Sequence, residues 1–432
     1  MRVAFATLGC RLNQFESDAL ARMAQEAGHE VVDPGAAAEV VVVNTCTITH
    51  EADADARQLV RRAARAGARV VVTGCWATAA PDEAAALPGV SLVVGNREKE
   101  RLVALLGDAG EARVHVAPVD LLRRVRVAKL RPAADPRRSR AYLKIQDGCD
   151  YRCSFCVVPR VRGRSSSVPV EEVARQLVEL VAAGVPEVVL TGVHLGIYGR
   201  DLRPRATLAE LVAGLLPRLG GSRLRLGSVD PHEVGDALIG LLSADRRLCR
   251  YLHLPVQSGD DEVLRRMRRA HTADDLRTLV PRLAREVPGI GLGTDVIVGF
   301  PGETDAAFEA THALLAALPL AWLHVFTYSP RAGTDAACLE GQVPADIKQR
   351  RCRALRALSA EKSRAFAAGQ VGARLVAVVH RVRHRRTGQL VARTDNGLTV
   401  LVDGDDARLG RAVVVAVDAA DDELGRGRIV EG

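Results

Sequence analysis

Aromatic side chains are scarce in this chain of 432 residues: phenylalanine, tryptophan and tyrosine make up 3% of it, within a hydrophobic content of 48%. The accompanying bias toward alanine, valine and arginine reflects genome composition, so the number of arginines does not by itself argue for RNA binding. No run of eighteen apolar residues occurs, which excludes a transmembrane helix. The opening Met1-Arg2-Val3-Ala4-Phe5-Ala6 lacks the pattern of a signal peptide and runs directly into a strand-like segment. A cytoplasmic protein with no membrane association is expected. Nine cysteines, an odd number and mostly far apart, argue against a disulfide framework and fit a reducing compartment. What the chain does have is length for two or three domains and a net charge of +8. That charge permits a polyanionic partner such as RNA without identifying one.

The most specific stretch is Asp147-Gly148-Cys149-Asp150-Tyr151-Arg152-Cys153-Ser154-Phe155-Cys156. Its cysteines stand at C-x3-C-x2-C, so one loop brings three thiolates to one metal centre. Three ligands are one too few for a closed four-iron cluster, and the fourth iron keeps an open position. The alternative, a structural zinc loop, wants a fourth Cys or His nearby; none lies in the next thirty residues. The spacing resembles that of the radical S-adenosylmethionine enzymes. The resemblance implies that the open iron takes the amino and carboxylate groups of the cofactor's methionine moiety, and that an electron from the cluster yields a 5′-deoxyadenosyl radical.

Upstream, residues 1–125 read as alternating strands and helices. Strands are expected at 3–8, 40–44, 69–73 and 91–94, with helices at 14–27 and 52–66, which makes a small parallel sheet. The apolar run Val40-Val41-Val42-Val43 suits a strand buried on both faces. Cys10, Cys46 and Cys75 each sit just past a predicted strand's C-terminal end. In an open parallel sheet those ends share one edge, where ligand sites form. Glycine precedes Cys10 and Cys75 and lets the backbone approach a bulky cluster. The competing reading is three buried free cysteines. The stretch Thr7-Leu8-Gly9-Cys10-Arg11-Leu12-Asn13-Gln14-Phe15-Glu16-Ser17-Asp18 resembles the opening of the methylthiotransferases. The resemblance implies Cys10, Cys46 and Cys75 as ligands of a second [4Fe–4S] cluster, with Asn13 and Ser17 lining it. Helix capping is the alternative for Ser17.

A linker follows over 126–140, within a proline-marked stretch from 118. It carries the basic run Leu122-Arg123-Arg124-Val125-Arg126 and closes on Arg137-Arg138-Ser139-Arg140. Residues 141–366 repeat strand and helix six times and end in an amphipathic helix at 347–366, the pattern of a partial (β/α)6 radical-enzyme barrel. Barrel sites lie at the C-terminal strand ends. There stand Thr191 and Gly192, Ser228 and Asp230, Gln257, and Asp295. The resemblance makes these residues, with Phe155, candidates for binding S-adenosylmethionine. Cys249, Cys338 and Cys352 fall outside every motif. Residues 367–432 are β-patterned, with Asn396-Gly397 as a turn, and suit a small five-stranded barrel. This unit resembles the TRAM RNA-binding domain. Arg381, Arg383, His384, Arg385 and Arg386 are its candidates for phosphates, although no aromatic that would stack a base occurs in this tail.

The α/β architecture expected is therefore a small N-terminal parallel sheet domain, a radical barrel and a TRAM-like β-barrel. The resemblance implies replacement of an unactivated C–H by C–S–CH3, with a radical-generating cluster, a sulfur-carrying cluster and a second S-adenosylmethionine as methyl source. It further implies an electron donor such as flavodoxin or ferredoxin, and tRNA as partner. The opening motif is most similar to the branch acting on threonylcarbamoyl-adenosine beside the anticodon. The branch acting on isopentenyl-adenosine usually begins with Tyr-Gly-Cys and Met-Asn; the branch modifying an aspartate of a small-subunit ribosomal protein usually has Pro-Lys-Asn. Those two substrates are the alternatives, and an RNA-binding protein with structural clusters is the alternative of another class.

Overall fold

The computed structural model describes residues 1–107, 113–124 and 127–430; Val125 and Arg126 of the basic run lie outside them. The N-terminal unit is one parallel sheet in the order Glu30–Val32, Arg2–Thr7, Val40–Thr45, Arg69–Gly74, Val90–Val94 and Arg113–His115. Helix Arg11–Glu26 packs Phe15 and Leu20 on one face against Val40 and Val42. Helix His50–Arg65 packs Ala56 and Val60 on the other against Val41 and Val43. The valine run is thus buried from both sides, as its continuity demands. The two edge strands were not expected. Each is three residues long, too short to show a period in sequence.

Six strands form the partial barrel: Ala141–Lys144, Glu187–Thr191, Arg223–Leu226, Tyr251–Gln257, Gly291–Val298 and Trp322–Thr327. They make two parallel three-stranded sheets, joined by parallel bridges between Leu224 and Leu248 and between Ser228 and His253. Side chains alternate across each strand. Leu143, Leu190, Leu224, Leu254, Val296 and Val325 point outward into the core beneath the helices. The intervening residues, including Glu187, Arg225, Tyr251, His253, Asp295 and His324, point inward. Helix Arg11–Glu26 lies against the first barrel strand, with the Lys144 ammonium 5.7 Å from the centre of the Phe15 ring. Helix Ala345–Ala368 leads to the tail and extends two residues further at each end than its pattern suggested. Among the described residues no helix is long and apolar enough to cross a membrane.

The tail is a closed five-stranded barrel seated on the N-terminal ends of the larger barrel's strands. Arg223 donates to the carbonyls of Val376 and Arg393, each at 2.7 Å. Arg225 donates to those of Thr394 at 2.8 Å and Asp395 at 3.0 Å. Gly291 is required here, because a β-carbon would lie 1.8 Å from the Asn396 carbonyl oxygen.

The N-terminal unit joins the opposite end of the barrel through buried polar contacts on two sides. On one side Arg331 reaches Asp53 at 2.5 Å and Thr47 at 2.6 Å. On the other, Arg162 donates to Asn13 at 2.7 Å, Glu16 at 2.9 Å and Asp147 at 3.1 Å. Lys99 also pairs with Glu16, and Lys144 lies 3.7 Å from Glu16 and 3.2 Å from Asp147.

Candidate active site formed by two cysteine triplets

Three adjacent strands deliver the first triplet to one sheet edge. Cys10 follows Arg2–Thr7 and precedes helix Arg11–Glu26, Cys46 follows Val40–Thr45, and Cys75 follows Arg69–Gly74 and opens a short helix. Asn13 stitches the first two loops together, donating to the Leu8 carbonyl at 2.8 Å and the Thr45 carbonyl at 3.0 Å. The two glycines let these loops pass close to one another. Gly9, at φ +97°, faces the Cys46 side chain, and Gly74, at φ +101°, faces the Thr45 backbone; a β-carbon at either would lie within 2.6 Å of those atoms. Ser17 is not a cap, since the helix begins at Arg11. Its hydroxyl instead accepts from Asn44 Nδ2 at 3.1 Å, one residue removed from the cysteines.

The second triplet lies on the loop after the first barrel strand. Gly148 takes φ +68° because the carbonyls of Gly163 and Arg164 occupy its β-carbon position. Backbone bonds from Cys149 to Gly163, at 3.0 Å, and from Ser154 to Met267, at 3.1 Å, hold the loop down. A chain of side-chain contacts then runs from one thiol to another. Cys149 Sγ lies 3.4 Å from His194 Nδ1, and His194 Nε2 lies 2.7 Å from Glu233. Tyr151 donates to Glu233 at 3.0 Å and lies 2.8 Å from His232 Nε2. His232 Nδ1 lies 2.8 Å from Asp230, and Arg269 joins Asp230 to Cys153 Sγ, the latter at 3.7 Å.

The two triplets face each other. Cys75 packs with Val157 and Val161, just after Cys156, and Asn96 donates both to Cys75 Sγ, at 3.7 Å, and to the Val161 carbonyl, at 2.9 Å. Burial pushes the thiols of Cys46, Cys149 and Cys156 up to about 12, with neighbouring cysteines adding to the effect. Burial also raises Cys10, against the pull of Arg162. As free thiols these groups stay protonated at neutral pH; a bound metal displaces the proton. Among the described residues the groups whose ligand atoms all lie within 4.8 Å of one another are Asp230, His232 and His271, and His253, Asp295 and His324. Neither cysteine triplet is that tight. Tetrahedral zinc holds its sulfurs about 3.8 Å apart, closer than either triplet presents them. Arg269 Nε is buried without an acceptor among the described residues, which fits an anionic group beside Cys153.

The remaining candidates distribute unevenly. Phe155, Gln257 and Asp295 line one cavity of about 210 Å³ with Cys156, and Ile48 and Thr49 complete it from the N-terminal unit. Gln257 has φ +73°, a strained value for a residue other than glycine. Asp295 accepts from His253 at 2.9 Å; burial works to raise its pKa, but the hydrogen bonds of His253 and His324 hold it below the carboxylate range. Ser228 is exposed at the end of its strand, whereas Asp230 is buried and taken up by His232 and Arg269. Thr191 is buried, and Gly192 makes room for Gln146. Cys249 and Cys352 are buried away from both triplets, and Cys338 is exposed. Glu233, Arg269, Asn96 and Lys99 were not singled out from sequence, and His194 stood there only within the segment Thr191-Gly192-Val193-His194-Leu195-Gly196. Asn96 and His194 had a signal, since each lies just past the C-terminal end of a parallel strand.

Comparison with known proteins agrees with this layout. The model of the radical SAM superfamily matches residues 143–315, that of the uncharacterized protein family UPF0004 residues 2–95, and that of the TRAM domain residues 370–430. The threonylcarbamoyladenosine tRNA methylthiotransferase MtaB of Bacillus subtilis (strain 168) is 37% identical over 99% of this chain and 96% of its own length. The tRNA-2-methylthio-N(6)-dimethylallyladenosine synthase of Erythrobacter litoralis is 35% identical over 98% and 96%. Among solved structures, the radical S-adenosylmethionine methyltransferase TsrM of Kitasatospora setae, with tryptophan and a cofactor analogue bound, shares the fold at a TM-score of 0.55 and 18% identity, over 78% of this chain and 75% of that one.

Proposed function

The chain belongs to the radical S-adenosylmethionine methylthiotransferase family, and from that premise we propose that it adds a methylthio group to C2 of threonylcarbamoyladenosine beside the tRNA anticodon. The observation that carries the substrate is the opening Leu8-Gly9-Cys10-Arg11-Leu12-Asn13, in a chain similar over nearly its whole length to an enzyme named for that nucleoside. Cys149, Cys153 and Cys156 would hold one [4Fe–4S] cluster and Cys10, Cys46 and Cys75 a second. S-adenosylmethionine would be received by residues among Phe155, Thr191, Gly192, Ser228, Asp230, Gln257 and Asp295. Bound there, these groups supply an electron, a hydrogen-abstracting radical, and the sulfur and methyl of the product.

The chain's own residues do the positioning. Val157 and Val161 form an apolar wall against Cys75. His194 and Arg269 fix the thiols of Cys149 and Cys153. An opening of about 360 Å³ leads to all three cysteines of the loop; Arg164 and Arg268 on its rim pair with Asp150 and Asp335, and Arg152 and Arg160 leave it a positive balance, which suits a polyanion. Mass spectrometry of tRNA nucleosides from cells lacking the protein tests the substrate. The methylthio form of threonylcarbamoyladenosine should disappear and its precursor accumulate. Loss of the isopentenyl product, or of the methylthio group on the ribosomal protein, would transfer the assignment to that substrate.

Of the tail residues named from the sequence, Arg385 and Arg386 give the cleanest test of phosphate contact. Arg383 is spent on its own loop, donating to Asp406 at 2.9 Å and to the carbonyls of Gly388 and Gly404. Arg381, also exposed, donates to the Arg138 carbonyl at 3.1 Å. Arg385 and Arg386 are exposed. Replacing both by alanine should lower the slope of log affinity for tRNA against log salt by about 0.7–0.9 per arginine. A salt series by fluorescence anisotropy measures this, and an unchanged slope removes them from the contact.

A further inference from the structure

The floor of the barrel holds more positive charge than the fold neutralises. Buried Glu187 meets three guanidinium groups: Arg223 at 2.6 Å, Arg225 at 2.9 Å and Arg140 at 3.6 Å. Beside them Arg393 donates to the Thr399 hydroxyl at 2.8 Å, and burial next to Arg225 lowers its pKa. Tyr251 is the centre of this floor. Its ring carries the Arg225 guanidinium 4.9 Å from its centroid and stacks on Trp322 at 5.6 Å.

Arg11 comes to the same tyrosine from the other direction. It follows Cys10 directly, yet its guanidinium reaches the Tyr251 hydroxyl at 3.4 Å. Among the described residues it has no carboxylate partner. The strand Tyr251–Gln257 runs from this point to the cavity lined by Cys156, Ile48 and Thr49, since Gln257 lines it too. His253 faces inward between them, bonded to Asp295. An unpaired arginine, backed by surplus positive charge and attached to the residue beside a cysteine of the first triplet, is a receptor for an anionic group on the substrate. The substrate proposed above bears such a group: the threonyl carboxylate on N6, which neither adenosine nor isopentenyladenosine carries.

We infer that Arg11, held by Tyr251 over the cationic floor, receives that carboxylate and selects the threonylcarbamoyl nucleoside. This rests on the substrate proposed above. The reconstituted enzyme is given tRNA bearing threonylcarbamoyladenosine either as the free acid or as its methyl ester, and kcat/KM for methylthio product is measured. The native enzyme should prefer the acid about tenfold or more, the worth of a charged hydrogen bond. In Arg11→Gln the two substrates should become equal to within about twofold, and Arg11→Lys should restore part of the preference. A merely structural Arg11 would slow both substrates alike and leave their ratio untouched, and the ratio stays readable if only part of the variant is folded. A native enzyme indifferent to esterification, or an Arg11→Gln variant that keeps the native preference, overturns the inference. Activity of the native enzyme on isopentenyladenosine tRNA, with none on either threonylcarbamoyl form, overturns the substrate reading and this inference together.

Discussion

Replacing Cys10, Cys46 and Cys75 together by alanine should abolish the methylthio product while S-adenosylmethionine is still cleaved to 5′-deoxyadenosine. The hydrogen bonds that hold the radical loop come from the barrel, through Gly163, Met267, His194 and Arg269, while Cys75 packs on Val157 and Val161 just beyond the loop. The loop therefore keeps its ligands when the first triplet is gone. Iron content reports the same division. About eight irons per reconstituted chain should fall to about four, because each triplet would hold one four-iron cluster. The reverse variant, with Cys149, Cys153 and Cys156 changed to alanine, should also keep about half the iron but lose both activities, since no radical can form. Circular dichroism first establishes that the N-terminal variant is folded. A folded variant that still makes the methylthio product would end the sulfur-delivery role of these cysteines, and one that lost all its iron would show that the triplets do not load independently.

Much of this site was legible because parallel α/β topology converts sequence into place. A cysteine just past a buried strand must arrive at the ligand edge of the sheet, so three cysteines far apart in the chain could be brought together on paper. The barrel strands were visible through the same alternation, and helices Ala273–Glu286 and Asp305–Ala317 fall where their pattern put them. Capping helps to show why. Thr272 and Thr304 accept from the third helical N–H, a local signal that sequence displays. The helix after Cys10 has no side-chain cap, so its start was placed late and Ser17 was offered a capping role it does not have. The contacts running from Cys149 to Cys153 carried no such signal. His194, Glu233 and Arg269 stand on three different segments, and only the folded partial barrel brings them to the cysteine loop.

The tail shows how a domain that looks separable in sequence can be structurally committed. Arg223 and Arg225 complete their hydrogen bonds on its carbonyls, so deleting it would strand two buried guanidinium groups at the barrel floor. The exposed pair Arg385 and Arg386 therefore gives a cleaner test of RNA contact than truncation.

The largest stability effect should come from Glu16→Gln, a change that keeps the shape of the side chain and removes one charge. The network around it contains three cations, Lys99, Lys144 and Arg162, and two anions, Glu16 and Asp147. Without the Glu16 charge, three buried cations face one carboxylate, and removing one partner of a buried pair costs about 3–5 kcal/mol. Lys99→Met should cost less, because two cations then remain for two anions. Adding Lys99→Met to Glu16→Gln should recover part of the loss, a coupling that the double-mutant cycle measures directly. Urea titration of the N-terminal unit in the iron-free protein supplies the numbers; additive losses in the double variant would mean that charge balance is not what holds this contact. The pH dependence has a fixed sign. Burial works to raise the Glu16 and Asp147 carboxyls, but Arg162 and the lysines win and hold both below their ordinary values. Their contribution is thus complete at neutral pH and disappears as pH falls from the ordinary carboxylate range through the folded-state values. In Glu16→Gln that acid-side loss should shrink, because one of the two groups that must take up a proton is gone.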